Sequence, residues 1–443
     1  MNTPICDYVR EYASRQPVRM HMPGHKGRGD AESLDITEIT GADVLYHPTG
    51  IILESERNAA RLFGARRTVY SAEGSSLCIR AMVALAAQYA MQRGKKPRII
   101  AARNAHKVFI TAAALLNVQV DWLWPEEGES LLSCSVSPKR LDAYLSGGEA
   151  PAAVYLTSPD YLGNMANIEA LSKVCRSHGC LLLVDNAHGA YLRFLPGEKH
   201  PMAQGADLCC DSAHKTLPVL TGGAYLHISR HAPPEFDSMA DGAMALFAST
   251  SPSYLILQSL DAANAAVSGA WRQTLEHAAA EWTLVKEKLL HFGFQLVGQE
   301  PMKLTIAPKP YGYTGNELQQ ILEGENIYCE FADPDYLVLM LPAEYEQSLP
   351  GKLLSVLERV PRKPGIMQSP PAIKHPEAIL TPHEAIFRPN CRLNVGEALG
   401  RVMADPTVSC PPAIPIVCCG ERIEEWAIEA MEYYGIRDVT VIA

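Results

Sequence analysis

Gly205-Ala206-Asp207-Leu208-Cys209-Cys210-Asp211-Ser212-Ala213-His214-Lys215-Thr216-Leu217-Pro218 reads as a strand that ends in a polar turn holding Ser-x-His-Lys. A lysine at the carboxyl end of a strand faces the crevice where open α/β sheets bind their ligands. Lysine is also the side chain that forms Schiff bases with carbonyl compounds, once its surroundings keep part of its population neutral. An isolated lysine is ordinarily a solvated surface charge, so the neighbouring segments decide the reading.

One strand upstream, Leu181-Leu182-Leu183-Val184 runs into Asp185-Asn186-Ala187-His188-Gly189, which puts an acid at the carboxyl end of a buried strand. Alone, that aspartate would serve equally well as a helix cap. Beside Lys215 it has a sharper role. A carboxylate facing a pyridine nitrogen keeps that nitrogen protonated, which lets the ring of pyridoxal phosphate (PLP) accept electrons from a substrate carbon. An acid and a lysine on separate strand ends are the minimum apparatus for this cofactor. Its phosphate needs a cradle, and Ser71-Ala72-Glu73-Gly74-Ser75-Ser76 precedes a helical pattern whose free amides and dipole favour an anion. The same residues also suit a plain helix cap. The sequence has neither G-x-G-x-x-G nor a P-loop, so dinucleotide and ATP readings lack their phosphate cradles.

Outward from these segments the texture is α/β. Between residues 51 and 260, short apolar runs (Ala59–Phe63, Pro97–Ala102, Ala152–Thr157, Cys180–Asp185) alternate with helical patterns near 76–92, 106–117 and 168–178. The last helix lies between two β-rich runs, as a crossover between parallel strands requires, so the sheet is expected to be mostly parallel. Residues 1–50 read as an irregular arm full of turn formers, 51–285 as a large α/β domain and 286–443 as a smaller α+β domain. Continuous helical patterns from Leu255 to Ala266 and from Ala270 to Leu290 carry the chain between the last two. Residues 361–390, rich in proline, read as a crossing loop.

A chain of 443 residues is too long for one compact core. With 47% hydrophobic and 20% charged residues and a mean hydropathy of -0.04, it has the profile of a globular enzyme. The formal net charge of -10 argues against nucleic-acid and anionic-membrane partners and attracts small cations. The 12 cysteines are scattered without a C-x-x-C pair, which suits a reducing cytoplasm and suggests no metal site. Neither a signal peptide nor a run of about 18 apolar residues is present.

Several runs together resemble the Orn/Lys/Arg decarboxylase family in order and spacing. They are His21-Met22-Pro23-Gly24-His25-Lys26-Gly27, Asp35-x-Thr37-Glu38, Arg103-Asn104-Ala105-His106-Lys107, Asp185-x-Ala187-His188-Gly189-Ala190 and Ser212-Ala213-His214-Lys215-Thr216-Leu217. Thr250-Ser251-Pro252-Ser253-Tyr254, Pro411-Pro412-x-Ile414-Pro415 and Gly420-Glu421 extend the likeness over almost the whole chain, which resembles the short form of the family. The resemblance implies a PLP-dependent transferase-like fold, the aspartate aminotransferase fold type I, working as a homodimer with active sites near the subunit interface. By the same resemblance Lys215 binds PLP, Asp185 pairs with its ring nitrogen, His106 stacks on the ring and His188 sits beneath or beside it. Gly74, Ser75, Ser76, Ser212 and His214 surround the phosphate, with Thr250 reaching the phosphate of the other subunit.

The implied reaction is decarboxylation of a basic amino acid, lysine, ornithine or arginine, to the corresponding amine. Lys215 or His214 would return a proton to the substrate carbon, and His25 and Glu330 are candidates for substrate contact. The chain departs from the family where it has Glu73 in place of Gly or Asn, Ile79 in place of Asn, and Asn186 and Tyr191 in place of Glu and His. Asp160 replaces a Thr and Gly222 replaces a Gln. These departures leave two alternatives open: another reaction on the same fold, such as an aminotransferase, and a weakened homologue with a regulatory role.

Overall fold

The computed structural model describes residues 1–126, 128–406, 409–410 and 414–443, so Pro411 and Pro412 of the C-terminal motif lie outside the described residues. Two compact units emerge. The first comprises Met1–Ile100, Ser137–Thr157 and Asn167–Arg272; the second comprises Ala101–Val136, Ser158–Ala166 and Gln273–Ala443.

Along the chain come strands β1 (Arg67–Ser71), β2 (Arg98–Ala102), β3 (Gln119–Leu123), β4 (Ala153–Thr157), β5 (Leu181–Asp185), β6 (Leu208–Asp211) and β7 (Ala224–Ile228). β3 belongs to the second unit. In the first unit the order across the sheet is β1-β7-β6-β5-β4-β2. β4, β5 and β6 are parallel. β7 opposes both β6 and β1, so β1 shares the direction of β4 to β6. The parallel strands are buried almost throughout, which is why they read as unbroken apolar runs and not as alternations.

The crossover from β4 to β5 is the helix Ile168–Ser177. It buries Ile168, Leu171, Ser172 and Cys175 on one stripe and is capped by Asn167, whose side chain accepts from Ala170 N at 3.0 Å.

Two expectations change. The apolar run Ala59–Phe63 is the end of a helix, Ile51–Phe63, whose buried face holds Ile52, Ser55, Glu56, Ala59, Ala60 and Phe63. Five residues were too short a window to separate helix from strand. The arm is also not wholly irregular, because Pro4–Ser14 is a helix with proline in its first turn and with Ile5, Cys6 and Val9 buried. Its first free amides, Ile5 N and Cys6 N, both donate to Asp261 Oδ2 at 3.0 Å. That cap comes from a residue far along the chain, so no local signal announced it.

The second unit carries an antiparallel sheet of Gln295–Val297, Lys303–Ala307, Leu337–Met340 and Phe331–Ala332, in that order across the sheet. The helix Gly315–Gly324 starts at a capping box of Thr314 and Glu317. Asn390–Asn394 pairs with the last strand, Asp438–Ile442. A core of Phe331, Val338, Ile416, Trp426, Met431 and Val441 closes it. Within this unit Arg103 is fully buried, and its guanidinium donates to the carbonyls of Pro415 (3.0 Å) and Ile416 (3.1 Å) and to Glu421 Oε2 (3.2 Å). Two widely separated motifs of the sequence thus meet in a packing contact. Among the described residues, no helix is long and apolar enough to cross a membrane.

Candidate active site

Asp185 is the last residue of β5, and Lys215 stands in the short helical turn Ala213–Thr216 that follows β6. Because β5 and β6 are parallel neighbours, both residues emerge from the same end of the sheet. Lys215 Nζ lies 3.1 Å from Nε2 of His188, three residues beyond Asp185. Asp185 is buried, and three donors reach its carboxylate. Tyr155 Oη donates to Oδ2 at 3.0 Å, and Ala187 N and Cys210 Sγ reach Oδ1 at 3.1 and 3.5 Å. Burial, and then the charge of Asp185, raise the phenol of Tyr155 far above its ordinary range, so it stays a donor. The same two causes keep Cys210 a thiol.

Beside these residues lies the turn between β1 and the helix Gly74–Gln92. Gly74 takes φ +73° and donates its amide to Gly222 O at 2.6 Å. Ser212 Oγ donates to Ser75 Oγ at 2.6 Å, which ties the lysine-bearing turn to the helix start. His214 Nδ1 donates to the carbonyl of Gly223 at 3.0 Å, which fixes the orientation of the ring. A side chain at Gly74 would come 3.9 Å from His214 Cε1. Ser76 lies in the first turn of the same helix. Glu73 is exposed and accepts from Ser249 N at 2.7 Å, next to exposed Thr250.

Three further expected residues each have partners within their own unit. His25 accepts from Gly27 N at 2.9 Å through Nδ1 and faces Asp35 Oδ2 at 3.2 Å through Nε2, so both ring nitrogens are engaged within the arm. His106, in the second unit, caps the helix Lys107–Leu115 by accepting from Val108 N at 3.2 Å. Glu330, in the same unit, is exposed and accepts from Tyr161 Oη at 3.4 Å.

Residue-by-residue reading missed a buried cluster behind β6. Asp211 Oδ2 lies 2.9 Å from His200 Nε2 and 3.0 Å from His227 Nε2, with all three side chains fully buried. Asn186 Nδ2 donates to Asp211 Oδ1 at 2.6 Å. Burial alone would raise the Asp211 carboxyl, but the two imidazoles outweigh it and hold the group below the usual carboxylate range. His200, Cys209 and Asp211 are close enough to suggest a metal site. The Cys209 thiol, however, is pushed far up by burial and by Asp211, so the thiolate that a metal requires is suppressed.

The donor set suits PLP. It offers a lysine and a buried carboxylate at adjacent strand ends, and a glycine turn with serines at a helix start. It also holds the hydroxyls of Thr157 and Thr216, buried with no partner among the described residues. Thr157 is in register with Asp185. The glycine and serine pattern flagged Gly74 and Ser75, whereas Tyr155 had only the faint signal of a polar tip in the apolar strand Ala153–Thr157.

Comparison with known proteins bears on the same region. The family model described as Orn/Lys/Arg decarboxylase, major domain, matches residues 3–291. Two proteins of Bacillus subtilis (strain 168) are similar along nearly their whole lengths. The uncharacterized protein YaaO is 29% identical over 97% of this chain and 94% of its own, and an arginine decarboxylase is 28% identical over 96% and 91%. The solved structure of the E. coli constitutive lysine decarboxylase superposes with a TM-score of 0.78 at 17% identity, covering 100% of this chain and 82% of that one. The fold is that of the type I PLP enzymes, and PLP is the cofactor.

Proposed function

Because this chain belongs to the Orn/Lys/Arg decarboxylase family, we propose that it releases carbon dioxide from a basic amino acid, arginine first among the three, and leaves the amine. The observation that carries this reading is the placement of Asp185 and Lys215 on adjacent parallel strand ends, with Lys215 Nζ 3.1 Å from His188. Arginine leads because the similar arginine decarboxylase matches this chain nearly end to end.

Bound PLP supplies an electron sink for the bond that breaks. Lys215 would hold the cofactor through Nζ, beside His188. Asp185, fixed by Tyr155, Ala187 and Cys210, holds a proton on the ring nitrogen. Gly74, Ser75, Ser76, Ser212 and His214 hold the phosphate, and Thr250 is assigned to the phosphate of the other subunit. Lys215 is the favoured acid for the substrate carbon, since His188 Nε2 lies within proton-transfer distance of its Nζ. The roles of His106 over the ring and of His25 and Glu330 at the substrate rest on the family resemblance alone. So does a homodimer as the working unit, while the cytoplasmic location rests on the scattered cysteines; light scattering and fractionation would test the two.

The deciding assay supplies the purified protein with PLP and measures carbon dioxide and amine from arginine, lysine and ornithine. Release from arginine above the other two is the expected result. Keto-acid formation without carbon dioxide would move the chain to the aminotransferases. A yellow protein that turns over none of the three would move it to the regulatory homologues.

A further inference from the structure

Asp211 is buried beneath the two elements that carry Asp185 and Lys215, and its environment is saturated with donors. Oδ1 faces Asn186 Nδ2 at 2.6 Å and Cys209 Sγ at 3.7 Å, and Oδ2 faces His200 Nε2 at 2.9 Å and His227 Nε2 at 3.0 Å. His200 Nδ1 accepts from Met202 N at 3.2 Å, which leaves the ring proton on Nε2, pointing at Asp211. His227 Nδ1 faces the Thr68 hydroxyl at 2.8 Å, and its ring packs on Phe63 with centroids 4.4 Å apart. Donors on every side therefore hold one carboxylate in one orientation.

Two mechanical links leave this anchor. Asn186 directly follows Asp185, and its backbone amide also donates to Cys210 O at 3.0 Å, so side chain and main chain together hang the Asp185–Gly189 loop on β6. Ser212 directly follows Asp211 and starts the turn whose Lys215 amide donates back to Ser212 O at 3.0 Å. The family usually carries a glutamate at 186, which would meet Asp211 charge against charge. Asn186 supplies a donor there instead.

We propose that Asp211 is a positioning residue that sets the spacing of Asp185 and Lys215, through Asn186 on one side and through its own chain on the other. The inference rests on the reading of these two residues as the PLP site. It adds that the Asn186–Asp211 pair is interchangeable as a pair and not residue by residue.

The test uses the full chain and three variants: Asn186→Ala, Asp211→Asn, and the swap carrying Asn186→Asp with Asp211→Asn. PLP affinity is measured by titrating the visible absorbance of the bound cofactor, alongside kcat and KM. Asn186→Ala leaves the histidine cluster in place and is the informative variant if Asp211→Asn fails to fold. It is expected to weaken PLP binding about tenfold and to lower kcat with KM little changed, because no substrate contact is removed. Asp211→Asn leaves Asn186 Nδ2, His200 Nε2 and His227 Nε2 facing a group with a single acceptor oxygen, and it is expected to lose more. The swap restores one amide facing one carboxylate, and it should recover PLP affinity to within about threefold of the parent.

Wild-type PLP affinity and kcat in Asn186→Ala would overturn the proposal, as would a swap no better than Asp211→Asn. A parent protein that takes up no PLP would instead sink the cofactor reading on which the proposal rests, and that result is seen before any variant is compared.

Discussion

The carbonyl oxygen of Gly222 accepts the amide of Gly74 at 2.6 Å, which closes the turn at the start of the helix that follows β1. Gly222 has φ +102°, and a Cβ there would meet Ala72 O and Ile256 Cδ1, each at 3.0 Å. A side chain would be strained by the backbone and would also push the two loops apart. The family's usual glutamine therefore does not fit this turn. Gly222→Gln is expected to destabilise the protein by about 1–3 kcal/mol and to weaken PLP retention. Thermal melting and dialysis against PLP-free buffer would show it, and an unchanged melting curve would mean that the turn adapts freely.

Lys215 carries the covalent chemistry in the proposed mechanism, and its side chain packs no core, being only partly buried. Lys215→Ala should fold with an unchanged circular dichroism spectrum and lose the yellow colour that survives gel filtration in the parent. Retention of that colour would remove Lys215 from its assigned role.

Tyr155 holds Asp185 from the neighbouring strand with a 3.0 Å hydrogen bond to Oδ2. Tyr155→Phe removes a neutral donor to a charged group and little volume. The expected loss is about tenfold in kcat, with KM for the amino acid nearly constant. A variant with a raised KM and intact kcat would place Tyr155 on the substrate instead.

Glu56 gives a pH signature remote from the cofactor. Burial raises its carboxyl from 4.5 to about 8, against the partial opposing effects of the Tyr70 amide, which donates to Oε1 at 2.9 Å, and of Arg67. The folded state therefore keeps a proton that the unfolded chain releases above pH 4.5. The stability from that proton is full below 4.5 and is lost as pH rises toward 8. Glu56→Gln cannot titrate, so it should be more stable than the parent at pH 8 by about 1–3 kcal/mol and should lack that part of the slope. Denaturant midpoints at pH 5 and pH 8 would measure it.

Much of the frame was legible in the sequence. Buried parallel strands announce themselves as apolar runs, and the acid and the lysine follow directly upon such runs, so β5 with Asp185 and β6 with the Lys215 turn could be placed from local pattern alone. Ala59–Phe63 and the Pro4–Ser14 helix were misread because five residues carry no period and an irregular composition hides an amphipathic one.

What the sequence by itself determined, then, was the set of strand ends and the reactive side chains they carry, because those depend on neighbours a few residues away. Only the tertiary structure decided which groups surround them: Tyr155 on Asp185, Asn186 and the two histidines on Asp211, Gly222 under Gly74, and Arg103 against Glu421. The physical reason is that a buried hydrogen bond is satisfied by whichever donor the fold brings within about 3 Å, and such partners leave no periodic trace along the chain.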